Sequence, residues 1–440
     1  MRGLVVHIVV HMAVKDLREI GRRNRLRKLL LAGILAGAFF TWGFQANRGQ
    51  VFPYSLLRSS AESLGLVVPD TGTLVKEILP ATPQLSALRS LPYLQSRPDE
   101  HGDRSGVVVH DPERAMAGVN FYNSYGESAA YLIDMDGQLL HEWSYSYREG
   151  DWFHAELVKD GSILIVVENE GLLKIDKESK LLWSFEARAH HGLAVDHSGD
   201  IYLLVNAPVR VPEIHPTADV LDERITVVAE DGIKKTEISL LQAILASPYA
   251  FLLPTARHLD LDGVDQLDLL HANHVEVFDG SRDHVSPLFR QGNILVSLKH
   301  LNVIAILDGT THEILWLWGP NNLALQHHPV LLENGRILLF DNGTEESRVL
   351  ELDVPTGTVT WHYQADDFFS EWGGSNQRLD NGNTLITNTA TGYVHEVTPE
   401  GEIVWSFANP EFDEEGRFNI WRMTRFSSDQ VDFLGAAEER

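Results

Sequence analysis

Residues 326–363 read QHHPVLLENGRILLFDNGTEESRVLELDVPTGTVTWHY and hold one whole unit of the pattern that decides the fold. Two histidines lead into an apolar run that stops at Glu333-Asn334-Gly335. A second run, ILLFD, leads through SRVLELD to another turn, VPTG, and the unit closes on the aromatic block VTWHY. Short alternating runs bounded by turn residues read as strands, with Gly or Asn supplying the positive φ of tight hairpins. The same closing block recurs as HEWSY (141–145), LLWSF (181–185), ILWLWG (314–319) and IVWSF (403–407). One further unit, 190–240, keeps the strand rhythm without its Trp. Six units of four short strands, at a period of roughly fifty residues, predict propeller blades. The tail RFNIWRMTRF (417–426) supplies a strand that closes the first blade and removes its exposed edge. The expectation is an all-β, six-bladed β-propeller over residues 117–426, with the repeated Trp packed between neighbouring sheets.

Outside the propeller, the 440-residue chain is 44% hydrophobic and carries a net charge of −26. The first 28 residues oppose that balance with eight Lys/Arg against two Asp/Glu. This basic segment (1–28) runs into LLLAGILAGAFFTWGF, extended by Gln45, Ala46 and Asn47. A cationic flank before an apolar stretch predicts one transmembrane signal anchor over 29–47, with the N-terminus inside and the bulk on the periplasmic side of the cytoplasmic membrane. Residues 48–116, interrupted by Pro, Ser and charge, read as a linker, and 427–440 as an acidic tail. So acidic a body repels nucleic acid. The absence of cysteine excludes thiol catalysis, disulfides and Cys-based metal sites. A homo-oligomer stays open.

Aligned on the turn glycines, the units place imidazoles at the start of the same strand. His154 stands seven residues before Gly161, His191 eight before Gly199, His327 and His328 eight and seven before Gly335, and Ser375 seven before Gly382. The remaining unit begins HANHVEVF, with His271 and Asn273, and continues through Lys299. First strands line a propeller's channel, so separate repeats deliver these groups to one place. Neighbouring strand residues face opposite ways, so only one of His327 and His328 faces the channel. No His-x-His or HExxH spacing supports a metal, and none is expected. Imidazoles, an amide and a lysine suit an anionic ester instead.

HHGLAVDHSGDIYLL, HANHVEV, GNILVSLKHLNVIAILD, QHHPVLLENGRILLFDNG and GSNQRLDNGNTLI together resemble the bacterial arylsulfotransferases, over about 117–426. The resemblance implies transfer of a sulfuryl group from an aryl sulfate donor to a phenolic acceptor, with neither a nucleotide sulfate nor a cofactor. It implies a sulfohistidine on His327 and supporting roles as acid/base and oxyanion partners for His191 and His271. Asn273 and Lys299 would hold sulfate oxygens, with Ser375 and His154 also at the substrate. Lys299 stands where the family usually presents Arg. The alternative is a membrane-tethered propeller that binds or assembles without catalysis.

Overall fold

The computed structural model describes residues 95–98, 104–148, 150–254 and 266–434. Six sheets of antiparallel blade strands follow one another along the chain, as the repeat predicts, and in blades 2–6 the strand that comes first in each repeat is innermost. Blade 2 comprises Trp152–Leu157, Ile163–Val167, Gly171–Ile175 and Leu181–Glu186. The inner strands of blades 3, 4, 5 and 6 are Ala189–Val195, Ala272–Val277, His327–Leu331 and Ser375–Arg378. The inner strand of blade 1 is Ile420–Phe426, from the C-terminal tail, paired antiparallel with Val119–Ser124. The ring is thus closed by hydrogen bonds between the two ends of the repeat region, which leaves no free inner edge to aggregate.

Two segments ahead of residue 117, read from sequence as linker, belong to this architecture. Gly106–His110 is the outermost, fifth strand of blade 6, and Ser96–Arg97 pairs with Arg417–Phe418. The candidate anchor, residues 29–47, lies outside the described residues. Among the described residues no helix is long and apolar enough to cross a membrane.

Burial follows the blade layers. Second strands such as Ile163–Val167 and Ile337–Asp341 are buried throughout because blades cover both of their faces. Outer strands such as Leu181–Glu186 alternate between partial and full exposure. The repeated Trp packs between blades as expected, and its indole also explains the fixed position. Trp143 donates to Gly161 O at 3.0 Å, Trp183 to Glu230 O at 3.0 Å, Trp361 to Pro399 O at 2.8 Å and Trp405 to Met135 O at 2.9 Å. Each acceptor is a turn carbonyl of the next blade, so one residue both fills the gap and satisfies a backbone group there. The inner hairpins close alike: Gly161, Gly335 and Gly382, all at positive φ, donate N–H to the residue three before them at 2.9 Å.

Candidate active site

The inner strands lose register just where the histidines stand. Breaks fall between Trp152 and His154, Ala189 and Leu193, Ala272 and His274, His327 and Val330, and Ile420 and Met423, which is five of six blades. A bulge inserts residues without a partner and re-aims their side chains. His191, His271 and His328 also take positive φ, 55°, 48° and 48°. Non-glycine residues held in that region cluster at functional sites, because the surroundings must over-determine them.

One group of side chains converges around His327. Its Nδ1 lies 2.7 Å from Asn342 Oδ1. The Asn342 amide is fixed in turn, since its Nδ2 donates to Ser370 O at 2.9 Å and Gly373 O at 2.6 Å. Oδ1 is therefore an acceptor, Nδ1 carries the hydrogen, and the lone pair of His327 lies on Nε2. That Nε2 is buried and has no hydrogen-bond partner. Burial, with the Lys299 ammonium nearby, pushes the His327 pKa down to about 3, so the ring is neutral at physiological pH.

His271 has a carboxylate behind it. Its Nδ1 is 2.5 Å from Asp268 Oδ2, and its N–H donates to Asp268 Oδ1 at 3.0 Å. Burial lowers the ring's pKa to about 3 despite the opposing carboxylate. Burial pushes Asp268 upward, but His271 and His300 outweigh it and hold the carboxyl ionised below its ordinary range. His300 packs on His271 at 4.6 Å between ring centroids and meets Asp268 O through Nδ1 at 2.7 Å. Asp268, His271 and His300 present their ligand atoms within 4.8 Å of one another, the one such group among the described residues that could hold a metal. The sequence reading, with no metal and few carboxylates at this level, had no place for Asp268, which lies in the insertion between units. The Asp268–His271 hydrogen bond already uses the Nδ1 lone-pair position, so the group is read here as a carboxylate–imidazole pair.

His191 meets His271 edge-on at 4.8 Å between centroids. A relay stands behind it: His190 Nδ1 is 2.8 Å from His191 Nδ1, and His190 Nε2 is 2.9 Å from Glu223 Oε2. The last contact is off the line of a good hydrogen bond and counts as an ion pair. Burial alone would lower the His190 pKa, but Glu223 more than offsets it and raises it. The two Nδ1 atoms share one hydrogen, so the protonation of His190 decides which ring donates. Burial, with His271, His190, His327 and Lys299 nearby, pushes the His191 pKa well down and keeps the ring neutral.

Lys299 follows the second strand of blade 4, its N–H donating to His271 O at 3.1 Å. Burial lowers its pKa to about 8, with Asp268 opposing. It is the cation of this centre. Asn273 donates Nδ2 to Gln326 O at 2.8 Å, and Gln326 donates to Ser297 Oγ at 3.0 Å and Val303 O at 2.8 Å. Gln326 is thus a peg that fixes the backbone before His327. An aromatic wall completes the centre. Trp421 lies 5.5 Å from His191, 6.4 Å from His327 and 4.1 Å from Phe153. This Trp, alone on the closing strand, escapes the scaffold role given to the repeated Trp.

One expected member, His154, stands elsewhere, and His328 is set apart from His327. His154 is paired through Nε2 with Glu156 at 3.1 Å, and Phe153 takes its place beside His191 at 5.0 Å. The bulge at Phe153 shifts the strand by one residue, which counting to the turn glycine cannot reveal. His328 turns away from His327, accepting Asn376 N–H on Nδ1 at 3.3 Å. Ser375 is buried on the inner strand of blade 6.

The family model described as arylsulfotransferase (ASST) matches residues 154–410. None of the curated proteins compared with the chain matches it. Solved structures resemble it more loosely. A protein of unknown function from Bacteroides caccae shares 14% identity over 71% of this chain and 99% of its own, with a TM-score of 0.48. A streptogramin B lyase shares 12% over 76% and 98%, TM-score 0.43, and the Dos1 propeller 12% over 73% and 78%, TM-score 0.39. With more than half its length matched by one family model, a closed ring of six blades and a buried imidazole cluster on their inner strands, the chain belongs to the arylsulfotransferase family.

Proposed function

We propose that this propeller moves a sulfuryl group from an aryl sulfate to a phenol by double displacement, with His327 Nε2 as nucleophile. The observation that carries the reading is the fixed tautomer: Asn342 takes the Nδ1 hydrogen, and the buried Nε2 lone pair has no other partner. In the first half-reaction Nε2 attacks sulfur, an N–S bond forms and the S–O bond to the aryl group breaks. The leaving phenolate takes a proton. Lys299, lowered to about 8, is protonated at neutral pH and supplies that proton, whereas His271, which burial holds near 3, carries no imidazolium proton to give. An unperturbed phenol has a pKa near ~10, so the transfer is downhill. In the second half-reaction the incoming phenol returns its proton to Lys299 and its oxygen takes the group from Nε2, which restores the site.

Transition-state charge falls on the sulfuryl oxygens. His191 and His271, the latter held by Asp268, stand edge-on beside each other and offer their rings to those oxygens. Asn273 and Lys299 hold the ester, and Trp421 and Phe153 offer aromatic faces to its ring. No nucleotide takes part. The basic segment and residues 29–47 anchor the chain in the cytoplasmic membrane with the propeller outside, supported by the order of charge and apolar residues. Truncation before residue 48 should release the protein from alkali-washed membranes, and retention there would count against the anchor.

Steady-state rates with a chromogenic aryl sulfate and a varied phenol, with no nucleotide present, test the order of events. Parallel lines in the double-reciprocal plot are expected. Intersecting lines would mean direct transfer and remove the sulfohistidine.

A further inference from the structure

A second level of the channel is built of one residue from each blade. Going round it are Arg422, His154, Gly192, His274, His328 and Asn376. The first five stand on inner strands at or beside the register break, and Asn376 stands on the unbroken inner strand of blade 6. The contacts close much of the ring: Arg422 Nη1 lies 3.5 Å from Glu156 Oε2, which is 3.1 Å from His154 Nε2. The rings of His274 and His328 are 4.7 Å apart, and Asn376 Nδ2 donates to His328 O at 3.1 Å. At Gly192 there is no side chain, and a Cβ there would lie 3.8 Å from Arg422 Nη2.

This ring has unused hydrogen-bonding capacity in a buried place. His154 and His274 are 1% and 5% exposed, yet His154 Nδ1, His274 Nε2 and Arg422 Nε have no partner. Buried polar atoms are rarely left so, and several together indicate a missing occupant. The geometry of Arg422 says which kind. Glu156 meets Nη1 and Nε has no partner, so the Nε side of the guanidinium, the side that can grip two oxygens at once, is turned to a site without a protein acceptor at Nε. A cavity of about 640 Å³ reaches His328 and Arg422 from the C-terminal ends of the inner strands of blades 5, 6 and 1. His327 stands at the opposite, N-terminal end of its strand.

We infer that this level is an oxyanion-binding site, separate from the His327 centre and reached through that cavity, in which Arg422 holds two oxygens and His154 and His274 close on the others. The other charged and titratable groups facing it are Glu156, His328 and, one residue back, His327. An anion there is bound with protons on the imidazoles that now point bare nitrogens inward.

The test uses inorganic sulfate as the probe, titrated into the full propeller chain labelled with ¹⁵N-histidine. Saturable shifts of the His154, His274 and His328 ring nitrogens are expected, with or without shifts at His191, His271 and His327. Calorimetry should show affinity at least tenfold weaker in Arg422→Gln, while His327→Ala keeps the site. No saturable binding, or shifts confined to His191, His271 and His327, would overturn the inference. The wild-type titration decides the matter even where Arg422→Gln folds poorly.

Discussion

Replacing Asn342 tests the tautomer argument without touching the nucleophile. Asn342→Ala removes the 2.7 Å acceptor of His327 Nδ1 and the two donations to Ser370 O and Gly373 O. A hydrogen bond between neutral groups contributes about 0.5–1.5 kcal/mol, and that is the part which holds the ring and its lone pair in the attacking orientation. At 1.36 kcal/mol per decade, kcat should fall by about two- to thirteenfold. The two orphaned carbonyls cost stability separately, at about 1–3 kcal/mol each. Asn342→Asp separates the two effects. It keeps an acceptor at Nδ1, loses both donations, and raises the His327 pKa from about 3 by roughly 1–3 units, still leaving it neutral near pH 7.5. Urea melts and sulfuryl-transfer rates measured well below melting should show both variants destabilised, but the Asp variant faster than the Ala variant. A full rate in Asn342→Ala, or an Asp variant slower than Ala, would refute the assignment.

Further outcomes follow from other residues. His328→Asn, which tolerates the positive φ of 48°, should keep kcat within about threefold, whereas His327→Ala should abolish transfer. Rates should fall as pH rises past about 8, where Lys299 loses its proton, and Lys299→Arg, always charged, should lower kcat and abolish that alkaline limb. Glu276 is pushed up to about 8 by burial, with the Leu331 N–H bond at 2.9 Å opposing. Between its ordinary 4.5 and about 8 the folded chain binds a proton that the unfolded chain has lost, so stability declines as pH rises through that window. Glu276→Gln should therefore be more stable than the native chain at pH 9, by at most about 5 kcal/mol (about 3.5 pH units at about 1.36 kcal/mol each) and by less as solvent screens the half-buried carboxylate, and match it near pH 5.

The sequence made the architecture plain because blades repeat. Trp143, Trp183, Trp361 and Trp405 each answer a carbonyl of the next blade, so the period is written in residues that packing requires. His191 and His327 could be placed at inner-strand starts by their distance from the turn glycines, whereas His271 and Asn273 open a unit interrupted by an insertion, and Lys299 follows a second strand and was singled out through the family resemblance. What failed was register. The break at Phe153 moves His154 into the second ring, and no count of residues shows a bulge. Asp268 and Trp421 come from an insertion and from the closing strand, where the repeat offers no alignment. Asn342 was visible in FDNG but reads there as a turn, and only the fixed amide reveals its hold on His327.

Everything proposed for the site turns on a covalent intermediate at one nitrogen, His327 Nε2. Intact-mass and peptide mapping of the chain from residue 48 onward, incubated with an aryl sulfate and quenched in alkali, tests it directly. An acid-labile adduct of sulfuryl mass on His327, lost in His327→Ala and discharged by added phenol, is the result predicted. Phenol release without any adduct, or an adduct on another histidine, would contradict it.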